Sequence, residues 1–153
     1  MKSLVLIVCF FLLHGFVFAK IGVDIAWFNS IIPVSTAQCF LKNNVSFAIV
    51  EVGRSNGLLN INASQTIINL QQAGFNDVDI YIYPKVAANP MYQVFAALFY
   101  LNSSNATAYN KIWFDIEEDS RDPWNTSCAV NIAFLTAAIQ EALNWVTKDK
   151  IGI

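Results

Sequence analysis

Short runs rich in Val, Ile and aromatic residues recur along the chain, and a segment with helical signals follows most of them. The starts of the runs lie about 25 to 40 residues apart, the length of a strand plus its return helix and loops. This alternation predicts a parallel sheet flanked by helices. The predicted strands are Ile21–Trp27, Ser46–Arg54, Val78–Lys85, Lys111–Glu118 and, as the start of a fifth, Lys150–Ile153.

The predicted helices between these strands carry start and stop signals. The first starts at Ser35 or Thr36 and ends near Asn43. Ser64 is a candidate cap for the second helix, and Gly74 suits its C-terminal cap because glycine tolerates a left-handed backbone. The third spans Met91–Leu101, and Ser127 caps the fourth. In the fourth, apolar residues at steps of three and four form a stripe that we expect to pack on the sheet. They are Ile132, Leu135, Ile139, Leu143 and Val146.

The first 19 residues have the pattern of a secretory signal peptide. Lys2 supplies a positive charge, residues 4–18 are almost entirely apolar, and Ala19 is small enough for a cleavage site. A membrane anchor is the alternative, but the apolar run is shorter than the ~18–20 residues that a span needs. We therefore predict a signal peptide over residues 1–19, and no membrane association after its cleavage. Sequons for N-glycosylation at Asn44, Asn62, Asn102, Asn105 and Asn125 support a secretory route.

The remaining residues, 20–153, are predicted to form one domain. A complete (β/α)₈ barrel usually takes at least ~200 residues, and this stretch is shorter. We expect an α/β fold that corresponds to about the first four β/α units of a barrel plus the start of the fifth strand. The domain is then incomplete, as a truncated product or gene fragment. The alternative is a small doubly wound domain that is complete in itself.

Charge and composition exclude several classes of function. The chain has 9 basic and 11 acidic residues, and no basic patch indicates nucleic-acid binding. Cleavage removes His14, the single histidine, which excludes a Ser-His-Asp triad, a Cys-His pair and a His-ligated metal. It also removes Cys9. Because Cys39 and Cys128 fall on helices that are not neighbours around a barrel, we expect buried free thiols rather than a disulfide.

Acidic side chains gather on one face of the predicted strands. Successive side chains in a strand point to opposite faces. In the fourth strand, Ile112, Phe114 and Ile116 share one face, and Trp113, Asp115 and Glu117 share the other. In the third, Val78, Ile80 and Ile82 oppose Asp79, Tyr81 and Tyr83. Asp24 lies near the C-terminal end of the first strand. Active sites of parallel barrels form at these strand ends, so we expect Asp24, Asp115 and Glu117 to converge there.

Converging carboxylates without a histidine suit the cleavage of a glycosidic bond. A protonated acid donates to the leaving oxygen, while an ionised one stabilises oxocarbenium charge or activates a nucleophile. Like charges held close together raise one pKa, which keeps that group protonated. Two alternatives fit the same residues. The acids bind a divalent cation through their oxygens, or they are simply solvated at the end of a strand.

Four motifs together resemble the lysozymes of glycoside hydrolase family 25, most closely the secreted forms of protists and nematodes. These motifs are residues 22–24 (GVD), 47–50 (FAIV), 78–84 (VDIYIYP) and 112–117 (IWFDIE), in order and with suitable spacing. The resemblance implies a muramidase that hydrolyses the β-1,4 bond between N-acetylmuramic acid and N-acetylglucosamine in bacterial peptidoglycan. It implies a modified TIM-type barrel without a metal or other cofactor, and we expect a monomer. Motif matching assigns Glu117 as proton donor, Asp115 as second catalytic carboxylate and Asp24 as a third catalytic acid.

The expected substrate contacts come from side chains around these acids. They are Tyr81, Tyr83, Trp27, Trp124 and Glu51. Aromatic rings at a barrel rim stack on sugars or simply pack. Glu51 is either a fourth acid of the site or an ion-pair partner of Arg54 or Lys85.

The expected setting is antibacterial defence or digestion, outside the cell or in the lumen of a phagosomal or lysosomal vesicle. An acidic working pH is expected, because protonation weakens repulsion between this acidic protein and anionic cell walls. The alternative function is a catalytically inactive carbohydrate-binding barrel or a non-functional fragment.

Overall fold

The structure is a computed structural model that describes residues 20–153. The predicted signal peptide, with Cys9 and His14, lies outside the described residues. Within residues 20–153, no helix is both long and apolar enough to cross a membrane.

The strands form a single parallel sheet in residues 20–153. They are β1 (Ile21–Ile25), β2 (Val45–Gly53), β3 (Val78–Ile82), β4 (Ile112–Phe114) and β5 (Ile151–Gly152). Their order in the sheet is the order along the chain, and every neighbouring pair is parallel. A doubly wound sheet reverses its strand order at a switch point, and this sheet does not. The sequential order is consistent with a barrel-like α/β fold.

The connections between the strands contain the predicted helices. They are α1 (Val34–Lys42), α2 (Ala63–Ala73), α3 (Pro90–Ser103) and α4 (Cys128–Ala142). Gly74 ends α2 with a φ of 109°, the left-handed conformation expected for a C-terminal cap. Ser64 lies inside α2 rather than at its cap, which is Asn62. The Ser64 hydroxyl instead hydrogen-bonds the Tyr100 hydroxyl of α3 at 2.7 Å.

One face of the sheet packs against the helices and forms the core. The alternation predicted for β3 is confirmed, because Val78, Ile80 and Ile82 are all buried. They join one apolar cluster with side chains of α2 and α3, among them Ile67, Leu70, Leu98 and Leu101. Full burial of such a side chain contributes about 1.5–3 kcal/mol, so this layer holds the sheet and helices together. The opposite face of the sheet carries the acids.

All strands except β2 are shorter than the sequence predicted, most clearly β4. It pairs with β5 only through Ile112 and Trp113, and it pairs with β3 as far as Phe114. Beyond this point the Asp115 amide still donates to the Ile82 carbonyl at 3.0 Å, but the chain then leaves the sheet. Ile116 is therefore exposed, and the prediction that it shares the apolar face of the strand with Ile112 and Phe114 is wrong.

The predicted apolar stripe of α4 is also wrong in part. Ile132 and Leu143 are exposed, while Ala138, Glu141 and Ala142 are buried. The physical reason is that α4 packs chiefly against α3 rather than directly on the sheet. Small alanine side chains permit this close helix-to-helix approach.

Cys39 and Cys128 are both free thiols in the structure, as expected, but both are exposed rather than buried. On α1 the buried side chain is that of Ala37, and Cys39 lies on a different face of the helix. Cys128 is the first residue of α4, before the part of the helix that packs on α3.

Candidate active site

The acids predicted to be catalytic lie together on the inner face of the sheet, the face opposite the helices. Asp24 lies on β1, whereas Asp115 and Glu117 follow the end of β4. They line a cleft of about 300 Å³. Its remaining lining residues are Ile49, Tyr81, Trp113, Phe114 and Ile153. Residues that are far apart along the chain thus meet because parallel strands bring their C-terminal ends to one edge.

The register of the sheet explains why Tyr81 lies at the centre of this arrangement. Glu51 of β2 is paired with Tyr81 of β3, and Tyr81 is paired in turn with Trp113 of β4. Since side chains in neighbouring strands at paired positions point to the same face, all three face inward. The Tyr81 side chain therefore lies between Glu51 and Trp113, and the charges of Asp24 and Asp115 also act on it.

Burial and mutual repulsion shape the protonation of the cleft. Burial raises the pKa of Asp115, and the charges of Glu117 and Asp24 raise it further. Burial also raises the pKa of Asp24, while a hydrogen-bonding interaction with the Tyr81 hydroxyl opposes this shift. The pKa of Tyr81 is raised strongly, first by burial and then by Glu51, Asp24 and Asp115. Tyr81 therefore stays protonated and serves as a neutral hydrogen-bond donor.

Glu51 lies behind the cleft rather than in its wall. It is only 5% exposed, and its carboxylate accepts a hydrogen bond from the Trp27 backbone N–H at 2.7 Å. Burial raises the pKa of Glu51, and the Trp27 N–H and the charge of Arg54 oppose that shift. The alternative of a direct ion pair with Arg54 or Lys85 is wrong, since neither appears among the salt bridges of residues 20–153.

Of the aromatic residues predicted to contact substrate, Tyr81 lines the cleft, whereas Trp27, Tyr83 and Trp124 do not. Trp27, in a short 3₁₀ helix after β1, is half-exposed. The Trp124 indole N–H donates to the Glu117 carbonyl at 2.9 Å, and its ring packs edge-on against Phe134. Burial, and then the charge of Glu117, raises the pKa of Tyr83. Trp124 and Tyr83 thus both interact with Glu117, whereas Trp27 contacts Glu51 through its backbone N–H.

The charged loop after β4 is held by its own side chains. Arg121 donates to both carboxylate oxygens of Asp119, which lowers the pKa of Asp119 to about 2. Asp122 accepts hydrogen bonds from the backbone N–H groups of Val86 and Ala87, at 2.6 and 3.3 Å. These contacts tie the segment that follows Glu117 to the loop that follows β3.

Sequence reasoning missed the part played by Asp79 and Trp113. Asp79 lies on the inner face, as its parity indicated, but it accepts hydrogen bonds from the Trp113 indole N–H at 2.7 Å and the Lys111 N–H at 3.0 Å. It therefore fixes the ring that lines the cleft. A Cβ on Gly152 would lie 2.2 Å from the Trp113 ring, so this ring covers a glycine of β5. Parity had placed Trp113 beside Asp115, and that was the available signal.

The structure bears differently on the two alternatives to a hydrolytic site. No group of three or more His, Cys, Asp or Glu side chains in residues 20–153 is arranged to hold a metal ion. The alternative of solvated acids stays open, because Asp24 and Glu117 are exposed, although partial burial raises the pKa of Asp24 and Asp115.

Comparison with known proteins decides the family. Residues 17–153 match the profile of a family described as lysozyme-like protein 1. The chain belongs to this lysozyme-like family. Its relatives connect the family to glycoside hydrolase family 25, which confirms the resemblance found in the motifs.

Three relatives illustrate the similarity. The chain is 31% identical over 140 residues to the probable GH family 25 lysozyme 4 of Dictyostelium discoideum, which covers 91% of this chain and 62% of the relative. It is 34% identical over 127 residues to lysozyme-like protein 5 of Caenorhabditis elegans, and this alignment covers 81% of this chain and 56% of the relative. The identity to the probable GH family 25 lysozyme 2 of Dictyostelium discoideum is 29%, and this alignment covers 91% of this chain and 63% of the relative. The chain thus spans about 60% of the length of these relatives. No solved structure matches the chain.

Proposed function

We propose that this protein is a secreted lysozyme that hydrolyses the β-1,4 bond between N-acetylmuramic acid and N-acetylglucosamine in bacterial peptidoglycan. The observation that carries the proposal is the convergence of Asp24, Asp115 and Glu117 in one cleft, at the C-terminal ends of parallel strands. Membership of a lysozyme-like family supports glycoside hydrolysis as the chemistry of this cleft.

In the proposed reaction, the Glu117 carboxyl donates a proton to the oxygen of the leaving sugar. Asp115, on the same side of the cleft, stabilises the positive charge that develops on the sugar ring or assists the nucleophile. Asp24 acts from β1 as the third acid. Its negative charge raises the pKa of Asp115 and adds to the electrostatic stabilisation of an oxocarbenium-like transition state.

Neutral and aromatic side chains complete the proposed substrate site. Tyr81 donates a hydrogen bond from the centre of the cleft, because its raised pKa keeps the hydroxyl protonated. Trp27, Tyr83 and Trp124 present rings on which sugars stack. The charge of Glu117 raises the pKa of Tyr83, and the Trp124 indole N–H donates to the Glu117 carbonyl. In this proposal the rings of Tyr83 and Trp124 therefore lie close to the scissile bond.

The same proposal extends to the organisation and location of the protein. Residues 1–19 act as a signal peptide, and residues 20–153 belong to a catalytic domain with the modified TIM-type barrel of the family. The protein works as a monomer, outside the cell or in the lumen of a phagosomal or lysosomal vesicle, in antibacterial defence or digestion.

Lysis of a Gram-positive cell suspension tests the proposal. Glu117→Gln and Asp115→Asn are expected to lose lytic activity by about 100-fold or more, because general acid catalysis and charge stabilisation each contribute at least this much. Glu118→Gln is the matched control, since Glu118 is exposed and does not line the cleft. Equal lysis by all four proteins would eliminate the proposed site, and binding to cell walls without lysis would favour an inactive carbohydrate-binding barrel.

The pH dependence of lysis gives an independent test. Asp115 and Asp24 have raised pKa values, and the chain carries a formal net charge of −2 at pH 7. Because the net charge is negative, we expect faster lysis at mildly acidic pH, where repulsion from anionic walls is weaker. At lower pH we expect lysis to fall, because Asp115 and Asp24 become protonated and no longer stabilise the transition state. A rate that is highest at neutral pH would contradict the expectation.

A further inference from the structure

A buried carboxylate holds the backbone of the turn that follows β1. Glu51, only 5% exposed, accepts a hydrogen bond of 2.7 Å from the Trp27 N–H. The preceding N–H, that of Ala26, donates to the Asn29 side chain at 2.8 Å. Hydrogen bonds to an ionised acceptor are shorter and stronger than neutral ones. The start of the 3₁₀ helix is thus fixed by side chains from two directions.

Arg54 contacts the indole ring of Trp27. The Arg54 guanidinium lies 4.0 Å from the centroid of the Trp27 ring, a close cation–π contact. The Arg54 Nε is buried and has no hydrogen-bond partner in the described part of the chain. An unsatisfied buried donor costs free energy, so the position of Arg54 is not explained by its hydrogen bonds. The ring contact explains where the guanidinium lies.

The Trp27 side chain remains partly accessible. Trp27 is 47% exposed although Arg54 covers one face of its ring and Phe28 contacts it edge-on, with centroids 6.2 Å apart. The residue follows Asp24 closely in the chain, at the end of β1 where the acids converge. An exposed, immobilised ring beside a polar cleft is suited to the apolar face of a sugar.

We propose that Glu51 and Arg54 are positioning residues that hold Trp27 as a fixed stacking surface for a sugar ring of the substrate. The inference rests on the proposed function, and it replaces direct substrate contact as the role of Glu51. Glu51 fixes the backbone of Trp27, and Arg54 fixes its ring. Because the ring is already ordered, sugar binding does not have to immobilise it, and affinity is gained.

The kinetics of soluble peptidoglycan fragments test this role. Glu51→Ala and Trp27→Ala are each expected to raise KM about tenfold, equivalent to about 1.4 kcal/mol of binding free energy. The value of kcat is expected to change by less than about threefold, because stacking contributes equally to ground and transition states. Glu51→Gln keeps an oxygen acceptor for the Trp27 N–H, so it is expected to restore most of the affinity that Glu51→Ala loses.

The double variant Glu51→Ala/Trp27→Ala separates positioning from direct contact. If Glu51 acts through Trp27, the double variant has the same KM as the single variant with the higher KM, because the effects of residues that act as a unit do not add. Multiplied effects, or a Glu51→Gln variant as impaired as Glu51→Ala, would overturn the proposal in favour of a direct contact between the Glu51 charge and substrate.

Glu141 offers a matched control on the other side of the sheet. It is also buried, and it accepts a hydrogen bond from the Trp145 indole N–H at 3.1 Å. Glu141→Ala therefore removes a buried carboxylate that is bonded to a tryptophan, but KM is expected to stay unchanged. An equal rise of KM in Glu141→Ala and Glu51→Ala would show a general loss of structure and overturn the specific role.

A measurement without substrate distinguishes failure of this inference from failure of the proposed function. Hydrogen exchange of the Trp27 amide is expected to be at least about tenfold faster in Glu51→Ala than in the unsubstituted chain. If the unsubstituted chain neither binds nor cleaves peptidoglycan, the proposed function fails, and the stacking role fails with it. If that chain is active and Glu51→Ala changes neither KM nor exchange, only the positioning role is overturned.

Discussion

Replacement of Phe114 by alanine tests whether β4, which leads into the candidate catalytic acids Asp115 and Glu117, depends on packing between the sheet and the helices. Phe114 is 2% exposed and among the largest fully buried side chains of residues 20–153. A Phe→Ala change in a core loses transfer free energy and leaves a cavity, which together cost about 3–5 kcal/mol. Because native domains are stable by only about 5–15 kcal/mol, this change removes a large share of the total.

Urea unfolding at constant pH measures this cost. With a slope of about 2 kcal/mol per molar urea, a loss of 4 kcal/mol lowers the midpoint by about 2 M. Phe99→Ala is the matched control, because Phe99 is 53% exposed and stacks on Phe95 at the surface of α3. Its expected cost is about 1 kcal/mol. A Phe114→Ala midpoint no lower than that of Phe99→Ala would refute the assignment of the outer face of β4 to the core.

Three further predictions, one of them with a control variant, test the electrostatics and the helix caps. Asp115→Asn is expected to become more stable than the unsubstituted chain as pH rises from about 4 to 7. Urea unfolding at a series of pH values measures this difference in free energy. The reason is that the raised pKa of Asp115 gives a contribution that is fully present below the ordinary Asp pKa of about 3.9 and lost as pH rises through the raised value. Asn89→Ala, which removes the N-cap bond to the Tyr92 N–H, is expected to cost about 1 kcal/mol in thermal unfolding. Ser127→Ala should cost almost nothing, since Ser127 makes no such bond, and equal losses would contradict this. Gly74→Ala is expected to cost about 1 kcal/mol at its φ of 109°, and an unchanged midpoint would count against the left-handed cap.

Strand alternation made much of the site predictable. The inward parity of Tyr81, Trp113 and Asp115 follows from the two-residue repeat of a strand, which is a local property. The parallel arrangement follows from the helices between the strands, and it brings Asp24 to the same edge as Asp115. Helix limits were found within a few residues for the same reason, because caps such as Gly74 act locally.

Contacts between distant segments were not predictable in this way. The length of β4 depends on where β3 and β5 stop pairing with it, so the exposure of Ile116 cannot be read from its own neighbours. The buried face of α4 depends on the approach of α3, and its own repeat of apolar residues indicated a different face. The pairing of Asp79 with the Trp113 indole joins two strands and shows no pattern in either.

The sequence alone determined the fold class, the acids and their common face, because side-chain periodicity and chain order are properties of the covalent chain. The tertiary structure decided the surroundings of each acid. Asp115 lines the cleft and has a raised pKa, and Asp79 accepts a hydrogen bond from the Trp113 indole. Glu51 is buried and accepts a hydrogen bond from the Trp27 backbone. These assignments depend on burial and on partners from other strands, which exist only once the sheet has formed and its register is set.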